Sequence, residues 1–163
     1  MFRRPPAPVA EYGRKRRIMA YVALNYVSNP AAPVGKWVCA PTSSLGPFKE
    51  VPEGASTDGV DLCGQCVSYV KKVCPTLPQT KYWKKGKPVK DNKSIVPGTV
   101  IATFNSAGKY YGHAAIYVSQ DVVGIHVYDQ YIAPPGPKPI GPRTLRWNAH
   151  GLANNGNNFS VVE

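Results

Sequence analysis

An α+β architecture, one helix packed on an antiparallel sheet, follows from three observations. A single short stretch carries helical spacing: Val67, Val70 and Cys74 recur at i, i+3 and i+7, and Pro75 ends the run. Further along, short apolar runs bounded by Gly and polar turns read as strands near Thr99–Phe104, His113–Val118, Ile125–Tyr131 and Arg143–Trp147. Seventeen prolines and fifteen glycines, mostly between those runs, require many turns and long surface loops, which excludes a helical bundle.

Taken in order, the chain opens on a Pro- and Arg-rich leader, residues 1–17, expected to be disordered. Arg14-Lys15-Arg16-Arg17 before Ile18-Met19-Ala20-Tyr21-Val22-Ala23-Leu24 mimics a secretory signal, with Ala31-Ala32 as a cleavage region. The apolar stretch is short, is broken by Asn25 and starts late, so a leader followed by the first structured element is the preferred reading. That element spans about Tyr21 to Val27, and its type is open. One domain of residues 18–147 is expected, since 163 residues with 43% hydrophobic content suit a single core. Within it, residues 39–60 form a long loop rich in Pro, Ser and Gly that flanks a cleft. Ser119 to Gly124 is a hairpin turn, Ile132 to Pro142 an extended crossing, and residues 148–163 a Gly/Asn-rich tail.

No run of eighteen apolar residues exists, so no transmembrane segment is expected. The formal charge of +11 is concentrated in residues 1–17 and in the lysines of residues 71–93. Such a surface attracts anionic polymers, whether nucleic acid or a cell wall bearing carboxylates and phosphates. Tyr82 and Trp83 among lysines suit a stacking platform for single strands. No nucleic-acid motif accompanies them, so no specific nucleic acid is expected as partner.

The chemistry concentrates in two segments. In Gly64-Gln65-Cys66-Val67 a turn gives way to the helix, which puts Cys66 in its first turn. There unpaired N–H groups and the positive end of the helix dipole favour a thiolate, the reactive form of cysteine. In Gly112-His113-Ala114-Ala115-Ile116-Tyr117-Val118 an imidazole opens a strand, which holds the ring rigidly. Alone, each residue would more often be a core cysteine or a core histidine. The pair in this order reads as nucleophile and base.

The other cysteines need their own accounts. Cys63 and Cys66 form a C-x-x-C, so a thiol–disulfide oxidoreductase is an alternative, although neither an apolar strand nor a βαβ alternation leads into it. A zinc site lacks a second C-x-x-C or paired histidines, and no metal is expected. Cys63 and Cys74 bracket the helix, about 16 Å apart at its rise per residue, too far for a bond. Cys39 is left to pair with either, or all remain free thiols.

The order and spacing of Gly64-Gln65-Cys66-Val67 and Gly112-His113-Ala114-Ala115-Ile116-Tyr117-Val118 resemble papain-like cysteine amidases of the CHAP and NlpC type, including amidase effectors of bacterial type VI secretion. The blocks from Trp83 to Gly86, Ile95 to Phe104 and Val127 to Tyr131 extend the resemblance over roughly residues 60–147. It implies a papain-like fold with the Cys helix packed on the sheet that carries the His. It also implies peptidoglycan as substrate, a cognate immunity protein as partner, no cofactor, and secretion into the periplasm or cell wall of a target bacterium. The bond cut is either a stem-peptide amide or the one between sugar and stem.

The third member of the site lies on the strand that returns after Ser119–Gly124. Asp129 best matches the acidic position of the CHAP pattern and is the first choice. Gln130 is the second and His126 the third, since some NlpC-type enzymes use a second histidine from this strand. Alternation leaves the register open: an odd pairing brings Gln130 to the His113 face and an even one brings Asp129. The backbone N–H of Cys66 is the expected oxyanion donor. A deamidase or transferase acting on host protein uses the same Cys-His chemistry, and a non-catalytic binding module needs neither residue.

Overall fold

The computed structural model describes residues 19–51, 63–133 and 136–163. The basic leader of residues 1–17 and the start of the signal-like stretch lie outside the described residues, as do residues 52–62 of the long loop.

In chain order the elements are β1 (Trp37–Val38), β2 (Phe48–Lys49), α1 (Cys66–Val73), β3 (Lys85–Pro88), β4 (Val100–Phe104), β5 (Tyr110–Gln120), β6 (Gly124–Tyr131), β7 (Lys138–Arg146) and β8 (Phe159–Val162). Two 3-10 turns, Thr80–Tyr82 and Gly156–Asn158, punctuate them. Strands β1 and β2 make a small ribbon, and the other six form one sheet in the order β3-β8-β4-β5-β6-β7, all antiparallel. The architecture is therefore α+β, with one α-helix among the described residues.

Strand alternation divides the core in two. Val100, Ala102, Ala114 and Ile116 face the helix, where they bury Tyr69, Val70 and Val73 together with Trp83. Ile101, Ala115, Tyr117, Ile125, Val127, Leu145 and Phe159 form the opposite face, packed by Ile95 and Trp147 from the loops. Both faces of β4 are thus covered, and all five of its residues are buried. At about 1.5–3 kcal/mol for each fully buried aliphatic or aromatic side chain, the two clusters hold the sheet rigid behind the site.

Several elements differ from the sequence expectation, each for a physical reason. The stretch Tyr21 to Val27 forms no regular element; it is tied to the sheet by the isolated bridge of Val22 with Thr99, by the Val100 N–H donating to the Tyr21 carbonyl, and by Tyr26 packed edge-on to Tyr128. The expected Pro-rich crossing is shorter than Ile132 to Pro142, because β7 starts at Lys138 and takes in Pro139 and Pro142. It can do so as an edge strand, where a missing N–H breaks no inner ladder. Residues 159–162, read as part of the tail, are β8, hydrogen-bonded between β3 and β4. The hairpin turn falls where expected, with Asp121 Oδ1 accepting the N–H groups of Val123 and Gly124.

Candidate active site

Cys66 is the first residue of α1. Gly64, with φ of 94°, turns the chain into the helix, while Gln65 is the extended residue before it and makes no side-chain cap. No acidic residue occupies the first turn, and Lys71 and Lys72 lie in the last. Both features leave the positive end of the dipole at the thiol. Cys63, just before, is bonded to Cys39, so the disulfide anchors the entry to the helix. Cys66 and Cys74 are free. The oxidoreductase alternative fails here, because the Cys63 sulfur is engaged with Cys39 and not with Cys66.

A bulge shapes the other half. In the pairing of β4 with β5, Ala102 faces Ala114 but Phe104 faces Tyr110, so Tyr111, Gly112 and His113 stand opposite the single Thr103. The Thr103 hydroxyl holds the bulge, donating to the Tyr111 carbonyl and accepting the His113 N–H at 2.9 Å. Gly112 sits at φ of 102°, and a Cβ there would come within 2.5 Å of that hydroxyl. Only glycine fits. Bulges of this kind re-aim side chains beside functional sites, and the re-aimed ring is His113, buried edge-on to Tyr131 and Phe159.

The register settles which β6 residue joins it. Ile116 faces Tyr128 across the hairpin, an even pairing that carries Asp129 to the His113 face. Asp129 Oδ2 accepts from His113 Nε2 at 2.7 Å, inside a site where the carboxylate is fully buried. Gln130 points to the other face. Its amide oxygen accepts the Val38 N–H at 2.8 Å, and its nitrogen donates to the carbonyls of Val38 and Gln65 at 2.9 and 2.8 Å. His126 lies near the turn, opposite Ser119, and is bonded to Asp121 and Thr144. Of the residues named from sequence, the structure brings Cys66, His113 and Asp129 together and leaves Gln130 and His126 outside the cluster.

Three further groups were not legible. Arg143 donates from Nε to Asp129 Oδ2 at 2.8 Å, with Nη2 at 2.6 Å from the same oxygen. Lys138 Nζ lies 3.3 Å from Asp129 Oδ1 while donating to the carbonyls of Asp129, Pro139 and Gly141. The Tyr110 hydroxyl is 3.5 Å from the Cys66 sulfur, its ring held edge-on against Trp83. Each cation comes from an edge strand whose prolines hid it, and Tyr110 stands on the far side of a bulge.

Electrostatics follow from this geometry. Burial works to raise the Cys66 thiol, but hydrogen bonding and attraction from His113, the Tyr110 hydroxyl and the Ala114 N–H together hold it below its ordinary value. Burial likewise works to lower His113, and the hydrogen bonds to Asp129 and Cys66 outweigh it, pushing the ring up to about 9. Asp129 is held below the usual carboxylate range against its burial by His113, Arg143 and Lys138. Burial and the adjacent sulfur push Tyr110 far up, so it remains a neutral donor. The arrangement favours a thiolate beside an imidazolium whose far nitrogen is fixed by a carboxylate. A cleft of about 260 Å³ opens over this pair, walled by Gln65, Gly112, Tyr131, Arg143 and Asn154 among others. Among the described residues no cluster of His, Cys, Asp or Glu suits a metal ion.

A sequence profile of the family described as domesticated amidase effector 2 matches residues 18–162. This chain belongs to the domesticated amidase effector 2 family. Its relatives include a domesticated amidase effector 2 of Ixodes scapularis, 42% identical over 116 residues, which are 68% of this chain and 78% of that protein. Another is a type VI secretion amidase effector 2 protein of Salmonella typhi, 32% identical over 122 residues, 66% of this chain and 90% of that one. Among solved structures, a type 6 secretion amidase effector 2 superposes with a TM-score of 0.54 at 32% identity, over 61% of this chain and 80% of its own. The family thus joins this chain to the type VI amidase effectors that the sequence resembles.

Proposed function

We propose that this domesticated amidase effector 2 homologue hydrolyses an amide of peptidoglycan with Cys66 as nucleophile, in a papain-like arrangement of the NlpC/CHAP kind. The observation that carries the reading is the buried Asp129–His113 hydrogen bond of 2.7 Å beside a thiol whose proton affinity is lowered. The names of the relatives, all amidase effectors, support the same class.

His113 and Cys66 form the resting imidazolium–thiolate pair. The sulfur attacks the amide carbon, and the carbonyl oxygen takes up the negative charge near the Cys66 N–H at the helix start. His113 then gives its proton to the leaving amine, and the C–N bond breaks to leave a thioester. Water enters, His113 takes its proton, and hydroxide adds to the thioester carbon, so that collapse releases the carboxylic acid and restores the thiolate. Asp129 remains ionised throughout and stabilises the imidazolium. The chain acts as a secreted effector on the periplasm or wall of a target bacterium and is met there by a cognate immunity protein.

Peptidoglycan lies outside the inner membrane, so location tests the reading. Expression in the bacterial cytoplasm should be harmless, and export by an added signal peptide should lyse the cell unless Cys66→Ala is present. Digested sacculi should release stem fragments with new amino termini, or stems freed from sugar. Cytoplasmic killing, or periplasmic killing that survives Cys66→Ala, would turn the assignment to a deamidase or transferase, or to a non-catalytic binder.

A further inference from the structure

Arg143 is tied to the site on both sides. Its Nε and Nη2 hold Asp129 Oδ2, its Nη1 donates to Asn154 Oδ1 at 2.9 Å, and its guanidinium lies 4.9 Å above the Tyr131 ring. Tyr131 and Asn154 wall the same cleft as Cys66 and His113, so the guanidinium is part of that wall. Of the cleft residues, Arg143 is the one with a permanent positive charge. A guanidinium carries five N–H donors. Those engaged leave a second N–H on each of Nη1 and Nη2 without a partner among the described residues. The local charge is also unbalanced: two anions, the Cys66 thiolate and Asp129, stand against three cations, His113, Arg143 and Lys138. A cation locked by a carboxylate, an amide and an aromatic face is pre-organised, and a planar fork of this kind matches a carboxylate.

We infer that Arg143 is a specificity-determining residue that recognises a free carboxylate of the substrate beside the scissile amide. The inference rests on the amidase reading and adds the feature by which a stem peptide is chosen: an amide flanked by an acid, not by its primary amide. A peptide stem whose neighbouring carboxyl is amidated leaves the guanidinium unanswered.

The test uses the full chain and two synthetic stem peptides containing the bond that sacculus digestion identifies. They are identical except that the neighbouring carboxyl is free in one and a primary amide in the other. The wild-type protein should favour the free acid by about tenfold to a hundredfold in kcat/KM, the range of a charge-assisted hydrogen bond. Because Arg143 also touches Asp129, binding is measured separately by titration calorimetry in the inactive Cys66→Ala background. There the free acid should bind more tightly, and adding Arg143→Gln should bring the two peptides to within about twofold. Should the Gln variant fail to fold by thermal melt, Arg143→Lys replaces it, and loss of the planar fork should shrink the preference. Hydrolysis of both peptides at equal rates overturns the inference while leaving the amidase reading intact, as does a preference that survives substitution of Arg143. Sacculi that release no fragment overturn the amidase reading itself, before either peptide is made.

Discussion

The side-chain nitrogen of Gln130 donates at 2.8 Å to the carbonyl of Gln65, the residue immediately before Cys66. Its neighbour Asp129 holds His113 from the opposite face of the same strand. Two consecutive residues of β6 therefore set the positions of the thiol and of the imidazole, one through the chain leading into α1 and one through the ring. Gln130→Ala should leave the Val38 N–H unsatisfied in a buried site, at a cost of about 1–3 kcal/mol, while the carbonyls of Val38 and Gln65 keep the N–H groups of Gly64 and Tyr69. The expected outcome is a lower melting temperature and a partial fall in turnover, with the pH limits of activity unmoved. Altered pH limits would make Gln130 an electrostatic partner of His113 instead.

Asp129→Asn keeps the shape and removes the charge. Turnover should fall by about 10²- to 10⁴-fold, because the imidazole loses its orientation and its imidazolium loses its counter-ion. The alkaline limit of activity should also move down, since the hydrogen bond to Asp129 is the largest of the influences that raise His113. His126→Ala should cost little, as that ring is occupied with Asp121 and Thr144. A pH–rate profile of each variant distinguishes them. Full activity in Asp129→Asn would remove it from the site.

The pH window of the wild type follows from two opposed shifts. Cys66 ionises below its ordinary value and His113 stays protonated to about 9, so the reactive pair exists between those two points. A plot of kcat/KM should rise with Cys66 ionisation and fall near pH 9. The same upward shift means that the stability His113 gains from its partners is fully present below its unfolded value near 6.5 and is lost as pH rises through about 9. Chemical denaturation at pH 6 and pH 10 should register that loss.

Thiol labelling separates the cysteines. Iodoacetamide at mildly acidic pH should modify Cys66 well before Cys74, while Cys39 and Cys63 stay unmodified without reductant. His113→Ala should slow the reaction at Cys66. Peptide mapping of the alkylated protein gives the order directly.

Replacing Cys39 and Cys63 together by Ala removes a link between residues 24 apart in sequence. The loop-entropy relation gives a loss of about 3.5 kcal/mol. Activity per folded molecule should persist at low temperature, because neither sulfur touches the reacting atoms. Activity lost in a variant that is still folded would return the Cys63/Cys66 pair to consideration.

Much of this is legible in the sequence. The helix start at Cys66, the turn at Asp121 and the run from Ile125 to Tyr131 followed from spacing and turn residues, which are local. The choice between Asp129 and Gln130 did not, because a period of two is blind to whether a pairing is odd or even. Arg143 and Lys138 are hidden in the sequence because their strand contains prolines and reads as a loop until its edge position is known. The bulge at Gly112 and the pairing of Cys39 with Cys63 are likewise facts about segments meeting across space.

The placement of Phe159–Val162 has a bearing on how the protein comes into being. This strand fills the slot between β3 and β4, and Phe159 lies 6.3 Å from the His113 ring. Until it emerges from the ribosome, Lys85–Pro88 has no neighbour in the sheet, and one wall around the imidazole is absent. Nascent chains thus carry Cys66 and His113 before the strand that walls the imidazole has been made. Assembly depends on contacts between distant parts of the sequence, a topology that folds slowly. Making the residues of the site and enclosing them are thus separate events: the thiol and imidazole come from the middle of the sequence, and the strand that closes around the ring follows them.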